Sequence, residues 1–553
     1  MKWIKTVCIA VSLSVVAGGL AQAAPSVEKP VVLDEAMLSI TASDLHGLID
    51  GIGSVAAQVS PMMNGMMLKS MVGMQLGDPG LAGIAPGKGL AIVALDTTNI
   101  FAIVEVGAAQ VAAYTNALAP KGVQFKYADG LLVVGQTQEQ VAKGVALAGA
   151  VKSKLLAKRS PTLRIAMQPA AIIGKNNEQI QGMLQMMPMM MGQGMMQSPG
   201  ATLESAQSTT KILEGELRVL LSLADQCESA EVVLAPQNGS IRITETFVPK
   251  AGTRLAALCN APAVNPPNAK VQSGYLGAGA IRLDSTMANP KALMEFMVAE
   301  AEQLASEMEL SDIDLPSWIS LLEKWWSIYG GSFSETVGLG GDSGMSVGYL
   351  MEVKDEVKTL ALLKGMKQDF EPFMALYEDI GMPMELEFKE NAREHNGVKI
   401  HRFAVSMSMT NQPSEVAEQM AAMNLTNMVY EIAITDGVVI YAMGEEKVES
   451  IIDRLADKSF KPAPLKALSV YPGDGFYYFD LDVGEYMAFV TAFIPDAEVL
   501  QMATLFQGAE PITSAGFKTD GRVMWSINVP SDLLAKIGQM VMMMQMQQGA
   551  PVQ

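Results

Sequence analysis

Histidine is nearly absent from this chain of 553 residues: His46, His395 and His401 are all there are. A Ser-His-acid relay needs an imidazole beside its nucleophile, so that kind of hydrolysis has few places to sit. Cysteine is as scarce, at three residues, and no CxxC or HExxH spacing occurs, which removes the common zinc arrangements. A phosphate loop, a GxGxxG fingerprint and a GxSxG elbow are missing as well. Basic charge is short too. Lysine and arginine total 39 against 58 acidic residues, a formal charge of −19. That balance repels phosphate backbones and anionic headgroups, so nucleic acid is not an expected partner. After the N-terminus no apolar run approaches the ~20 residues that a helical membrane span needs.

What is present begins with an address. Lys2 and Lys5 precede an uncharged apolar run, Val7–Leu20, and Ala21-Gln22-Ala23 puts small residues at its exit. This is the pattern of a secretory signal cleaved near Ala23. It predicts a mature chain outside the cytoplasm, periplasmic or secreted, without a transmembrane span. Cys8 lies inside the leader. The cysteines left after cleavage, Cys227 and Cys259, are even in number and bound for an oxidising compartment, so a disulfide between them is predicted. A hydrophobic content of 49% excludes wholesale disorder, and the length calls for more than one core.

The body of the chain reads as a doubling. Val123–Ala148 is strand, Asp129-Gly130 turn, strand and helix; the phrase returns at Val429–Ala456, turning at Asp436-Gly437. Asp-Gly and Asn-Gly supply the positive φ angles of a type I′ hairpin. Four more units recur in the same order. Met37–Val59 matches Gly274–Leu304, and Gly89–Leu118 matches Val337–Leu363. Thr162–Gln185 matches Gly475–Phe493. Glu231–Leu258, turning at Asn238-Gly239, matches Ile512–Met540, turning at Asp520-Gly521. The predicted fold is α+β: two repeated halves, each a curved antiparallel sheet of hairpin-plus-helix units with helices packed on one face. After a signal at 1–23, the halves span 24–263 and 270–553, with proline-rich Ala261–Ala269 as the seam. The second carries a hairpin and helix insertion near 364–427, read as a long helix over Asp355–Asp379, a hairpin of Glu385–Phe388 and Val398–Val405, and a second helix near Ser414–Met423.

Several residues are candidates for chemistry. Gly341-Asp342-Ser343-Gly344 resembles the phrase around the nucleophile of trypsin-like serine proteases. The likeness covers four residues at a hairpin turn, and no histidine sits in that family's setting, so no protease is predicted. His395 and His401, with Glu394, flank the inserted hairpin and are spaced to share a metal. Hairpins carry solvated His and Glu as a matter of course, and no metal or cofactor is predicted. Asp480, Asp482 and Glu485 at a strand-to-helix junction read as helix caps rather than a glycosidase pair or a calcium site. Trp325 and Trp326 are adjacent on a helix and point about 100° apart, so at most one faces a given ligand.

Methionine is the excess, at 41 residues. It bunches at Pro61–Met74, Met183–Met196 and Met540–Met546. Pro188, Gly192 and Gly194 interrupt the middle tract, which suits a regular core helix poorly. Clustered thioethers fill cores, make adaptable hydrophobic surfaces or bind Cu(I). The prediction is a non-catalytic binding or assembly protein that meets a protein partner or a hydrophobic small molecule. Its contact tract is Met186, Met187, Met189, Met190, Met191, Met195 and Met196. The alternative is a lipid-like carrier with an enclosed apolar cavity; a hydrolase and a Cu(I) handler stand further back.

Overall fold

The computed structural model describes residues 30–59, 64–195, 217–237, 240–262, 267–286, 289–307, 315–338, 345–379, 383–408, 426–444, 447–473, 475–493, 497–519 and 521–548. The leader, the Asn238-Gly239 turn, the Gly341–Gly344 phrase and the inserted helix expected near Ser414–Met423 lie outside those residues.

Among the described residues, eighteen strands form one antiparallel sheet. They are β1 Leu38–Ala42, β2 Leu90–Ala94, β3 Ile100–Glu105, β4 Gln124–Ala128, β5 Leu131–Gly135, β6 Leu163–Met167, β7 Cys227–Gln237, β8 Ser240–Pro249 and β9 Ile281–Thr286. There follow β10 Tyr329–Gly338, β11 Ser346–Val353, β12 Met384–His395, β13 Val398–Met407, β14 Asn427–Thr435, β15 Val438–Met443, β16 Tyr477–Leu481, β17 Ile512–Thr519 and β18 Arg522–Pro530. From one edge to the centre the order is β4-β5-β3-β2-β1-β6-β7-β8. It continues β18-β17-β16-β9-β10-β11-β15-β14-β13-β12 to the other edge. The sheet is open. Its last strand, β12, carries Glu385, Glu387, Lys389, Glu390 and Arg393, charges of the kind that blunt an exposed edge.

The helices are α1 Leu45–Val59, α2 Gly65–Leu76, α3 Val111–Leu118, α4 Gln138–Ala150, α5 Pro169–Met195, α6 Arg254–Asn260, α7 Ser273–Leu276 and α8 Pro290–Glu307. The rest are α9 Leu315–Ile328, α10 Glu356–Asp379, α11 Val448–Ala456, α12 Lys466–Val470, α13 Val483–Phe493, α14 Ala497–Phe506 and α15 Ser531–Gln548.

The two-residue turns form as their sequences require. Asp129 and Gly130 take φ of 53° and 79°, and Asp436 and Gly437 take 52° and 75°. These are type I′ angles, and they lock Ala128 opposite Leu131 and Thr435 opposite Val438. The inserted hairpin turns the same way at Asn396-Gly397, with φ of 50° and 81°. Its long helix is also where the sequence puts it, in α10.

The helices do not keep to one face, and this corrects the sequence reading. β5 begins Leu131-Leu132-Val133-Val134, apolar toward both sides, so both faces need cover. Leu132 and Val134 turn toward α1 and α3, with Leu45, Leu48, Ile49 and Tyr114. Leu131 and Val133 join Phe101, Ile103, Ala91 and Val93 on the other side, under Val141 of α4. Gly144 lets α4 come close: a Cβ there would lie 2.5 Å from Val133 Cγ1. The second half divides likewise. Val448, Ile451 and Ile452 of α11 cover Ile440 and Leu350, while Leu363 of α10 covers Val439 and Ile432. The sheet is thus a middle layer between helices.

Candidate functional site

The methionine tracts, hundreds of residues apart, belong to helices of one layer. α2 starts at Asn64, whose side chain accepts the Met67 N–H at 3.0 Å, and ends at Gly77 in the left-handed region. Leu68 and Val72 pack into the core around α1. Met67, Met71 and Met74 are spaced four and three residues apart and share a different face, with Met66 beside them. All four are exposed, Met66 at 82%. α1 packs against both α2 and α15, so two tracts flank one helix; α5 packs on β7, as α1 does, and its Gln181 shares a cleft with Arg254 of α6 and Gln303 of α8. Around α2 the charge is already used: Lys69 Nζ pairs with Asp50 of α1 at 2.6 Å.

α5 differs from its sequence reading. It stays helical through Pro188, Gly192 and Gly194 as far as Met195, and its departure is at Asn176, where the side-chain amide donates to the Ile172 carbonyl at 2.7 Å. Methionine, glutamine and leucine favour helix strongly enough to carry the weaker residues between them. Met186 is exposed at 56%. The side chains of Met187, Met189, Met190, Met191 and Met195, and all of Met196, lie outside the described set. Fully burying one methionine is worth about 1.5–3 kcal/mol, so four exposed on one helix can anchor an apolar partner.

The sheet face under α1 in the first half and under α8 and α10 in the second is the part that sequence reasoning missed. In the first half Ile92, Ile40, Ile165 and Val232 stand in one cross-strand row. In the second half the row is Phe479, Leu283, Glu335, Tyr349 and Tyr441. Phe333 stacks on Tyr349 at 5.7 Å, and Tyr441 meets Tyr349 edge-on at 5.8 Å. Tyr477 lies 5.2 Å from Trp525 and 6.2 Å from Phe479. Phe333, Glu335, Tyr349, Tyr441 and Phe479 all stay partly accessible. The signal was the alternation in Phe333-x-Glu335, Tyr349-x-Met351 and Tyr477-x-Phe479, which puts these side chains on one face.

The remaining candidates disperse. His395 Nε2 lies 2.7 Å from Asp453 Oδ1 of α11. His401 is buried on the opposite face, stacked on Phe388 at 5.7 Å, and its Nδ1 accepts the Asn391 N–H. Burial pushes the His401 pKa down. The two imidazoles therefore share no point. Asp480 accepts the N–H groups of Lys466 and Ala467 at the start of α12, at 2.5 and 2.8 Å. Asp482 accepts the Glu485 N–H at 3.0 Å at the start of α13. Trp325 packs near Leu363, and Trp326 packs edge-on to Tyr329 at 5.2 Å. Cys227 and Cys259 lie in one apolar cluster as free thiols, without the expected bridge. A polar cleft of about 390 Å³ opens between segment 217–225, α6 and α8, lined by Arg218, Asp225, Thr253, Arg254 and Gln303. Arg254 is already engaged there by Glu300 at 2.8 Å.

Compared with protein-family models, with curated proteins and with solved structures, the chain matches none. Among the described residues no helix is long and apolar enough to cross a membrane.

Proposed function

We propose that the protein is a non-catalytic, extracytoplasmic binding protein that engages an apolar partner through its methionine-rich helical layer. The observation that carries this reading is the gathering of three sequence-distant methionine helices in one layer, with Met66, Met67, Met71 and Met74 exposed. Thioether side chains are flexible and polarizable, and they adapt to apolar partners without a fixed shape. The address rests on the leader ending at Ala23. A second reading, a carrier of a hydrophobic small molecule, is favoured by the partly accessible apolar side chains on the sheet face beneath the helices.

The architecture behind this proposal is a duplication, each half a curved sheet, joined edge to edge. It is supported by the strand order: β4-β5-β3-β2-β1-β6-β7-β8 is answered outward from the seam by β18-β17-β16-β9-β10-β11-β15-β14. Each hairpin and single strand then has its counterpart in chain order, and β13-β12 is the insertion added at one edge. α4 and α11, the helices after the third hairpins, lie on the same face of the sheet.

Native mass spectrometry of the mature protein, purified gently from its own cell envelope, tests the function. A retained protein partner supports the first reading, and an extractable adduct of a few hundred daltons supports the second. Met67→Gln, Met71→Gln and Met74→Gln together should strip a protein partner. A bare monomer, or a partner retained by the triple variant, sinks the proposed surface.

A further inference from the structure

Glu335 is an acid set into an apolar wall. Its cross-strand neighbours are Leu283 on β9 and Tyr349 on β11, and Tyr441 lies one strand beyond Tyr349. Phe333, two residues back on the same face, stacks on Tyr349. Tyr430 and Tyr477 are near enough for the carboxylate's charge to act on their hydroxyls. Leu293 and Phe296 of α8 pack over Phe333 and Tyr477 from the helix side. Among the described residues, no cation and no hydrogen-bond donor meets the Glu335 carboxyl. Burial pushes its pKa up, yet the side chain keeps partial access.

A lone carboxyl in such surroundings costs stability unless something compensates it. A position serving only the core would take an aliphatic residue. Under the duplication proposed above, the matching place in the first half is Ile92, and Tyr349 and Tyr441 stand where it has Ala102 and Val134. The second half has exchanged an aliphatic row for an acid among aromatic rings.

We propose that Glu335, with the ring faces of Phe333, Tyr349 and Tyr441, forms a binding site for a quaternary ammonium group. The carboxylate supplies the counter-charge, and the ring faces attract the cation through their quadrupoles. Burial keeps the Tyr349 and Tyr441 hydroxyls protonated, so they add no rival charge. A divalent metal would need several oxygen ligands, and one carboxylate is present. A primary ammonium would bring three N–H donors to a site with one strong acceptor; a quaternary nitrogen brings none. The inference draws on the duplication for the comparison with Ile92 and not on the methionine layer.

Isothermal titration of the full mature chain with choline, against its uncharged isostere 3,3-dimethylbutan-1-ol, tests the site. Choline should bind, and the isostere should bind at least tenfold more weakly. Glu335→Gln should weaken choline at least tenfold. Glu335→Ile should abolish binding while raising Tm, since it removes an uncompensated acid. Tyr441→Val gives a second reading of ring loss if an acid variant fails to fold. Monomeric dodecylphosphocholine binding more tightly than choline assigns the group to a lipid headgroup; equal binding assigns it to a free small molecule. No heat with millimolar choline, equal binding of the isostere, or wild-type affinity in Glu335→Gln overturns the proposal. The methionine triple variant should keep choline binding, which separates failure here from failure of the helical surface.

Discussion

The two halves of the sheet run through the same succession of strands and present different surfaces to the helices. One row in the first half reads Phe125, Val134, Ala102, Ile92, Ile40 and Ile165. The row in the same strand positions of the second half reads Ile432, Tyr441, Tyr349, Glu335, Leu283 and Phe479. On the other face the change is smaller: Val133 and Ile103 answer to Ile440 and Leu350. A strand points alternate residues to opposite sides, so one face can diverge while the other keeps its packing. Under the proposed duplication, the exchange of one apolar row for aromatic and acidic side chains is what a binding role in the second half alone would leave behind.

The largest test of the comparison is a half-buried acid on the other face. Asp284 on β9 stands where β1 has Thr41. Burial pushes its pKa up to about 7, although the Ser273 N–H donates to it at 2.6 Å. An unfolded aspartate titrates near ~4, so the folded state holds this proton longer. Its contribution to stability is complete below about pH 4 and is lost as pH rises through about 7. Denaturant unfolding across that window should show a shallower fall for Asp284→Asn, by up to about 4 kcal/mol. Superimposable profiles would break the argument.

A second test uses one acid in two settings. Glu105 and Glu352 hold corresponding places on β3 and β11. Glu105 is buried, paired with Arg159, and accepts from Lys88 at 3.3 Å and from the Gly89 N–H at 3.0 Å. Glu352 Oε2 is buried with no hydrogen-bond partner among the described residues. Arg159→Ala leaves Glu105 only Lys88 and the Gly89 N–H and should cost about 2 kcal/mol. Glu352→Gln should cost less than about 1 kcal/mol. Equal losses would erase the difference between the halves.

The third test looks for sameness. Gly130→Ala and Gly437→Ala each force a side chain into the left-handed region, with φ of 79° and 75°. Each should cost about 1–2 kcal/mol, and the two losses should agree. A large disparity in thermal unfolding would count against matched turns. The smallest effect concerns the thiols. Burial pushes the pKa of Cys227 up to about 11 and that of Cys259 up to about 12. Both should resist thiol reagents in the native protein and both should titrate after unfolding without reductant. Fewer than two thiols would restore the bridge that their even number suggests.

Much of this fold was legible beforehand because its signals are local. Asp-Gly turns, alternating apolar strands and α10 can be read within a dozen residues. The one-sided helix layer was misread because α4 and α11 each have an apolar stripe but nothing in the stripe says which face of β5 or β15 it will meet. The wall around Glu335 was hidden for a related reason. Phe333, Glu335, Tyr349, Tyr441 and Phe479 come from four strands, and only their register puts them together.

By itself the sequence determined the turns, the order of the units, the acidic surface and the concentration of methionine, since each depends on neighbours along the chain. The tertiary structure alone decided that β8 pairs with β18, that helices cover both faces, that α2, α5 and α15 share one layer, and that an acid stands among tyrosines where the other half has Ile92. Those outcomes depend on contacts between residues hundreds of positions apart, which hydrophobic burial and strand register select together.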